Sequence, residues 1–276
     1  MQDLTIGFIG GGNMARALVG GLIAAGVPAR NVWVSDPVEE QRATLAAQYN
    51  IHTTTDNTAV ADQSDVLVLA VKPQQMRAAA TAIALAVARR RPLVVSIAAG
   101  IRMDDLARWL DTPQLAIVRA MPNTPALVQS GASGLCANAW TDDEGRTIAE
   151  HILRAVGLVQ WVPEESMMDA VTALSGSGPA YFLLVMEALH QAGVAMGLPS
   201  EQARLLTLQT AFGTARLALE SEADAAELRR RVTSPGGTTE QAIKVLQEGQ
   251  LEALFERALL AAQKRGASLA AQYGEG

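Results

Sequence analysis

A glycine-rich turn between an apolar run and a stretch with helical spacing constrains this chain more than any other feature of its sequence. The segment IGFIGGGNMA places Gly10, Gly12 and Ala15 in the pattern G-x-G-x-x-A. The first glycine permits a tight turn, the second lets the backbone approach a pyrophosphate, and the small third residue lets a helix pack closely on a strand. Because the turn follows a strand-like run and opens a helix over residues 13–25, it predicts dinucleotide binding rather than a plain glycine-rich turn.

Short apolar runs and stretches with helical spacing alternate through the first half of the chain. Runs that are apolar throughout suit strands covered on both faces, which are typical of parallel sheets with crossover helices. The sequence therefore predicts a doubly wound α/β domain. Its strands are expected within residues 4–10, 31–35, 65–71, 92–98 and 115–120, and the last strand-like run covers residues 157–163.

The second half is rich in Ala, Leu, Glu and Gln and predicts several helices. A domain boundary is expected near residue 163, which gives a dinucleotide-binding domain over residues 1–163 and an all-helical domain over residues 164–276. One helix is expected to end near the turn at residues 191–199, a second to cover residues 200–220, and a third to cover residues 239–273 with a break at Gly249.

The composition argues for small-molecule partners. The chain has 28 acidic and 22 basic residues with no basic stripe, which argues against a nucleic-acid or anionic-membrane surface. Cys136 has no partner for an internal disulfide, and the three histidines lack metal-ligand spacing. No apolar run approaches the roughly 18 residues that span a bilayer. We expect a cytoplasmic, metal-free protein whose partners are small molecules and copies of itself.

An acidic residue follows the second predicted strand. Asp36 lies 21 residues after Ala15, where an acid accepts hydrogen bonds from the ribose hydroxyls of NAD. Alternatively, Asp36 caps a helix that begins at Pro37. Arg42 remains available for a 2′-phosphate, so these residues leave the choice between NADH and NADPH open.

Two more polar residues follow predicted strands, at the edge where ligands of parallel sheets bind. Lys72 either contacts a phosphate or substrate or is a solvated lysine before Pro73. Asn123 either contacts the cofactor or closes a turn by bonding its own backbone. Small residues at 98–101 leave room for a ring.

The run of small residues at 175–179 interrupts an otherwise helical stretch. Gly and Pro inside a helix cost about 1 and 3 kcal/mol. The run therefore predicts either a new helix that begins at Pro179, whose amides receive a ring or an anion, or close packing of small residues on another helix. Similarly, RVTSPGGTT at residues 231–239, with four hydroxyl side chains, is either a connector or a pocket.

Six segments in unbroken order, IGFIGGGNMA, AVKPQ, SIAAGI, RAMPNTP, TALSGSGPAYF and VTSPGGTTEQAI, resemble the pyrroline-5-carboxylate reductases. The resemblance implies a Rossmann domain followed by an all-helical dimerisation domain. It implies reduction of 1-pyrroline-5-carboxylate to L-proline with NADPH or NADH, the last step of proline biosynthesis. It also implies a homo-oligomer with interlocked helical domains, a dimer or a decamer, and the apolar run at residues 182–189 supports at least a dimer.

The resemblance assigns site residues as well. Its substrate contacts fall on Thr172, Ser234, Pro235, Gly236, Gly237, Thr238 and Thr239. Its nucleotide contacts fall on Gly10, Gly12, Asn13, Met14, Ala15, Asn57, Ala70, Lys72, Pro73 and Ala99. Where the family commonly has serine, asparagine or a basic residue, this chain has Asp36, which argues against the usual NADPH preference.

The chemistry of a cyclic imine agrees with a loop that lacks titratable side chains. A protonated iminium accepts a hydride near neutral pH, so its reduction needs no strong acid. Thr239 is the predicted catalytic residue, bonded to the ring nitrogen, while the Ser234 hydroxyl and the amides of the turn hold the carboxylate. Most of the catalysis then comes from positioning.

Two other functions agree less well with the sequence. A β-hydroxyacid dehydrogenase would carry a catalytic lysine on the long helix of the second domain, and PAYFLLVMEALHQAG has none. A dinucleotide-binding regulatory module without turnover would have a degenerate substrate loop, whereas SPGGTT is intact by the family's pattern.

Overall fold

The chain forms two compact units in the computed structural model, which describes residues 3–274. The first, the sheet unit, contains the described residues up to Ser177 together with those from Ala261 onward. The second, the helical unit, is Gly178–Leu260.

The described part of the sheet unit has one eight-stranded sheet. Its strands are β1 (Ile6–Ile9), β2 (Val32–Ser35), β3 (His52–Thr54), β4 (Val66–Leu69), β5 (Leu93–Ser96), β6 (Ile117–Met121), β7 (Gly131–Ala137) and β8 (Gly157–Trp161). They are arranged in the order β3-β2-β1-β4-β5-β6-β7-β8. Each predicted run contains a strand, so the doubly wound fold is confirmed, while β3 and β7 were not predicted.

The sheet departs from a parallel arrangement at one position. Strands β1 to β6 are parallel, but β7 runs antiparallel to β6, and β8 is parallel to β7. Only a short turn containing the 3-10 helix Thr124–Val128 joins β6 to β7. A connection of this length cannot accommodate a crossover helix, so the chain reverses direction.

Twelve α-helices accompany the strands in the described residues. Those of the sheet unit are α1 (Asn13–Ala24), α2 (Glu39–Tyr49), α3 (Asn57–Gln63), α4 (Pro73–Arg90), α5 (Met103–Trp109), α6 (Asp143–Arg154) and α7 (Met168–Val171). The others are α8 (Gly178–Ala195), α9 (Ser200–Glu220), α10 (Ala225–Arg231), α11 (Thr238–Glu248) and α12 (Leu251–Gly274), whose last residues return to the sheet unit. The described helices include none with the length and apolar character that crossing a membrane requires.

Most helix predictions agree with these bounds. Helices α1 and α9 lie where they were expected, and the break at Gly249 separates α11 from α12. Helix α10 was not predicted. The helix that was expected to begin at Pro37 begins at Glu39 instead.

Buried side chains cover both faces of the central strands. Phe8 belongs to one apolar cluster and its neighbour Ile9 to another, and the alternation repeats in β4 with Val68 and Leu69. All four residues are fully buried. Burying one such side chain contributes about 1.5–3 kcal/mol. The continuous apolar runs of the sequence therefore result from a sheet packed on both sides.

An ion pair between a buried arginine and a partly buried glutamate joins the segment after β8 to the sheet. Arg119 on β6 is 3% exposed, and its Nη1 lies 3.2 Å from Glu165 Oε1, which also accepts a hydrogen bond from the Met103 amide at 2.8 Å. Asp169 lies 3.9 Å from the same guanidinium. Burial, together with the nearby Glu165, raises the pKa of the Cys136 thiol opposite Arg119. These contacts place residues 164–177 in the sheet unit, and the domain boundary near residue 163 stays a prediction.

Replacing Glu165 by alanine is expected to destabilise the protein by about 3 kcal/mol. The substitution leaves the Arg119 guanidinium buried with only the more distant Asp169. Urea unfolding of Glu165→Ala would be compared with that of Glu164→Ala, which removes an exposed neighbouring carboxylate. Equal midpoints for the two variants would contradict a stabilising role for the pair.

Candidate active site

The turn after β1 requires glycine at its first position. Gly10 has a φ of +100°, and a Cβ built on it would lie 2.8 Å from the Ala70 carbonyl oxygen. Its amide donates a hydrogen bond to the Ser35 carbonyl at 2.8 Å. A side chain at residue 10 would therefore force the end of β1 away from β4, and it would also strain the backbone.

The second glycine of the pattern presents open backbone at the start of α1. A Cβ built on Gly12 would have no heavy atom within 4 Å. Gly12 is the N-cap of α1 and supplies no side-chain acceptor for the amides of the first turn. Ala15 is 1% exposed and packs in the core, as predicted. This combination suits a pyrophosphate that lies against the backbone at a helix amino terminus.

The register of the strands brings the neighbouring loops to the same edge. Ile9 pairs with Ser35 of β2 and with Leu69 of β4, and Leu69 pairs with Ser96 of β5. Four parallel strands thus end at one level, with β1 between β2 and β4 at the point where the strand order reverses. Ligands of doubly wound folds bind at this point.

The predicted nucleotide residues all follow these strands or open the next helices. Ala70 and Ala99 are half-buried in the loops after β4 and β5. Lys72 is exposed and is the N-cap of α4, whose first residue is Pro73. The other members are Asn13 and Met14 in the first turn of α1, and Asn57 at the start of α3. Their contacts with a nucleotide stay predictions.

Asp36 is fixed in the loop after β2. Its Oδ2 accepts a hydrogen bond from the Gly11 amide at 2.7 Å, and its Oδ1 accepts one from the Val38 amide at 2.8 Å. The Arg42 guanidinium donates to the Asp36 backbone carbonyl at 2.6 Å. Asp36 therefore bonds the turn before α2 but is not its N-cap, which is Val38.

The side chain of Asn123 bonds two distant segments, and not the backbone of its own turn as one alternative had predicted. Its Nδ2 donates to the Ser175 carbonyl at 2.9 Å, and its Oδ1 accepts from the Ala132 amide at 2.9 Å. The residue is 8% exposed, so these bonds satisfy polar groups that water reaches poorly. Asn123 joins the end of β6 to β7 and to the segment after α7, and its cofactor contact stays a prediction.

The end of α12 contacts the segments that follow β4 and β5. The sequence did not predict these contacts. Gln74 Nε2, in the first turn of α4, donates to the Tyr273 hydroxyl at 2.8 Å. A Cβ built on Gly100, after β5, would lie 3.5 Å from the Ala270 amide nitrogen. No local pattern pairs residues that are 199 positions apart, as Gln74 and Tyr273 are.

Thr172 lies in a π-helical turn, Thr172–Gly176, between α7 and α8. The turn is closed by a hydrogen bond from the Ser177 amide to the Thr172 carbonyl at 2.8 Å, and the Thr172 hydroxyl donates to the Met168 carbonyl. A Cβ on Gly176 would lie 2.5 Å from Met121 Cε. Small residues here thus pack closely on β6, rather than on another helix, and Pro179 follows in the first turn of α8.

The predicted substrate loop lies in the helical unit, between α10 and α11. Thr238 is the first residue of α11, one residue before the predicted start, so both threonines lie in the first turn of that helix. Gly236 has a φ of +74°, and its amide donates to Glu240 Oε2 at 2.8 Å. The Gly237 amide donates to the Ser234 carbonyl at 3.0 Å. Two amides expected to bind a carboxylate therefore already have acceptors within the chain.

The first turn of α11 offers other donors. Gly237 is its N-cap and has no side chain, so the amides of Thr238, Thr239 and Glu240 lack an acceptor inside the helix. Thr239 is half-buried, and Ser234 is exposed. In the preceding helix, the Arg231 guanidinium, with that of Arg230, holds the pKa of Glu227 below its usual range. Hydroxyls and free amides at a helix amino terminus suit a small anion.

Comparison with known proteins decides the family. A family model described as "Pyrroline-5-carboxylate reductase dimerisation" matches residues 165–269, and one described as "NADP oxidoreductase coenzyme F420-dependent" matches residues 5–100. The pyrroline-5-carboxylate reductase of Pseudomonas aeruginosa is 53% identical over 275 residues, which cover 100% of both chains. The chain belongs to the pyrroline-5-carboxylate reductase family.

Solved structures agree with this assignment to the pyrroline-5-carboxylate reductases. The structure from Coxiella burnetii matches with a TM-score of 0.93 and 47% identity, and it covers 96% of this chain and 98% of that chain. The structure from Plasmodium falciparum, with NADP bound, matches with a TM-score of 0.86 and 28% identity over 98% of this chain and 99% of that chain. The reductase is thus an oxidoreductase with a Rossmann sheet and an all-helical carboxyl-terminal region, as the sequence predicted.

Replacing Gly12 by alanine is expected to weaken binding of the nicotinamide dinucleotide by about tenfold or more, while stability changes by less than about 1 kcal/mol. The added methyl group meets no protein atom, but it projects where the pyrophosphate would approach the backbone. Nicotinamide fluorescence titration and urea unfolding measure the two effects.

Gly10→Ala provides the matched comparison, because its added methyl group clashes with the Ala70 carbonyl. That variant is expected to lose both stability and binding. Unchanged binding in Gly12→Ala would show that the glycine turn does not hold the pyrophosphate.

Proposed function

We propose that this chain reduces the C=N bond of 1-pyrroline-5-carboxylate to give L-proline, the last step of proline biosynthesis, with NADH or NADPH as reductant. The observation that carries the proposal is the full-length similarity to pyrroline-5-carboxylate reductases, combined with an intact glycine turn and an intact substrate loop. The geometry of the sheet edge and of the loop at residues 234–239 supports a role for individual residues.

The residues at the sheet edge fit a nicotinamide dinucleotide. Gly10 allows the tight turn, and the open backbone at Gly12 with the first-turn amides of α1 would hold the pyrophosphate. Asp36 would bind the adenosine ribose, and the small residues Ala70 and Ala99 leave space beside the strand ends. When bound, the reduced nicotinamide supplies the hydride for the reaction.

The substrate requires few chemical groups from the protein. Its ring nitrogen carries a proton near neutral pH, so the imine carbon is already electrophilic and no strong acid is needed. We assign the Thr239 hydroxyl to this nitrogen, as the residue that touches the reacting bond. The half-buried position of Thr239 in the first turn of α11 supports the assignment.

The substrate carboxylate is assigned to the amides of Thr238 and Thr239 and to the Ser234 hydroxyl. The Gly236 and Gly237 amides donate to acceptors within the chain, so they serve the shape of the loop. The dipole of α11 would stabilise the anion by roughly 0.3–2 kcal/mol, depending on burial. Pro235 limits the loop's conformations, and Thr172 is proposed as a further substrate contact.

The helical unit supports assembly with copies of the same chain. Large apolar side chains are exposed along α8, including Phe182 at 70%, Leu184 at 66% and Met196, just beyond its end, at 79%. Patches of this kind mark interfaces, and the matched family model is one of dimerisation. We propose a homodimer with interlocked helical units, which can assemble further into a decamer. A cytoplasmic location is proposed from the single, buried thiol.

Nicotinamide absorbance tests the activity directly. Purified protein supplied with 1-pyrroline-5-carboxylate is expected to oxidise NADH or NADPH and to form proline in equal amount, with a reaction lacking the imine as the control. Oxidation of neither cofactor would refute the proposed function.

Thr239→Ala is expected to lower kcat by about tenfold or more, with cofactor affinity unchanged, because a hydrogen bond to the charged nitrogen contributes about 1.5–3 kcal/mol. Thr239→Ser keeps the hydroxyl and should recover most of the turnover. Thr81→Ala, which removes an exposed threonine hydroxyl from α4, outside the proposed site, is the matched control. A normal kcat in Thr239→Ala would show that the nitrogen contact is misassigned.

A further inference from the structure

We infer that this chain prefers NADH to NADPH and that the Asp36 carboxylate sets the preference. The inference rests on the proposed function, since it takes the glycine turn to hold a nicotinamide dinucleotide. It goes further because the sequence left the choice of cofactor open between Asp36 and Arg42.

The position of the Asp36 charge is fixed by the backbone. One carboxylate oxygen accepts the Gly11 amide at 2.7 Å, and the other accepts the Val38 amide at 2.8 Å. The first of these bonds joins the carboxylate to the glycine turn itself. A hydrogen-bonded carboxylate beside this turn is the group that receives the ribose hydroxyls of NAD in doubly wound folds.

The bases near this carboxylate are engaged elsewhere. Arg42 donates from Nη1 to the Asp36 backbone carbonyl at 2.6 Å, which holds its guanidinium against the main chain. Arg16, on α1, donates to Asn13 Oδ1 at 2.8 Å. Neither guanidinium pairs with the Asp36 carboxylate, so the negative charge of Asp36 is not neutralised by an ion pair within the described residues.

Further carboxylates belong to the elements next to this loop in the chain and in the sheet. Glu39 and Glu40 form the first turn of α2, and Asp56, which caps α3, lies two residues after the end of β3. Strand β3 is the neighbour of β2, and the Asp36 amide donates to the Thr54 carbonyl at 3.1 Å. A 2′-phosphate carries about −1.5 to −2 charges at neutral pH, so it would be repelled by these carboxylates. A ribose hydroxyl, in contrast, can donate to Asp36.

Dissociation constants measured without substrate give the first test. Titration followed by nicotinamide fluorescence is expected to show NADH binding about tenfold or more tightly than NADPH, the factor that about 1.4 kcal/mol produces. Equal or tighter binding of NADPH by the unmodified protein would overturn the inference. Tight NADH binding without reduction of the imine would refute the proposed function and leave this inference standing.

Substitution of Asp36 gives the second test. Asp36→Ser is expected to weaken NADH binding, strengthen NADPH binding and invert the ratio of the two constants. Asp62→Ser, which removes the same charge from a partly exposed carboxylate of α3 that pairs with Arg89, should leave the ratio unchanged. If Asp36→Ser does not fold, Asp36→Asn replaces it, because this variant keeps the size of the side chain.

The double variant Asp36→Ser/Arg42→Ala measures what Arg42 contributes to NADPH binding. Once the carboxylate is absent, Arg42 is the base that can pair with a 2′-phosphate, so its removal is expected to abolish the gain in NADPH affinity. A ratio that Asp36→Ser leaves unchanged would show that another residue selects the cofactor.

Discussion

The close approach of two backbone segments, at Gly10 and Ala70, is the constraint on which the rest of the site depends. Because Gly10 puts no side chain between these segments, β1 and β4 stay paired up to their last residues, Ile9 and Leu69. The amide of Gly10 bonds β2 on the other side. The loops after β1, β2 and β4 therefore begin side by side at one edge of the sheet, and α1 begins at the same edge.

The proposed nucleotide site and the proposed substrate site belong to different parts of the chain, and both use the free amides at the amino terminus of a helix. At the sheet edge the proposed donors are the first-turn amides of α1, and in the helical unit they are the first-turn amides of α11. In both cases a glycine is the N-cap, so no side chain competes for these amides. A carboxylate bonds the backbone beside each set of amides: Asp36 accepts from the Gly11 amide, and Glu240 accepts from the Gly236 amide. Glu240 thereby holds the shape of its loop, and Asp36 is proposed to set the cofactor preference.

Much of the fold was predictable because its signals are local. A continuous apolar run predicts a strand packed on both faces, and the glycine pattern places the turn and α1 within a residue of their observed bounds. Strand β3 has only the polar residues His52, Thr53 and Thr54, and β7 begins with glycine and small residues, so neither has a strand pattern. The bonds of Asn123 to Ser175 and of Gln74 to Tyr273 join distant segments, which no spacing rule on one sequence can pair.

Under the proposed assignment of the substrate to residues 234–239, the hydrogen bonds inside this loop have a consequence for how tightly a small substrate is held. Glu240 takes the Gly236 amide, and the Ser234 carbonyl takes the Gly237 amide, so the left-handed turn is fixed by the chain's own groups. Fixing the backbone of one residue costs about 1–2 kcal/mol of conformational entropy. The loop is ordered when the protein folds, so binding does not have to order it again. The few contacts of a five-membered ring can then contribute to affinity and to alignment of the substrate.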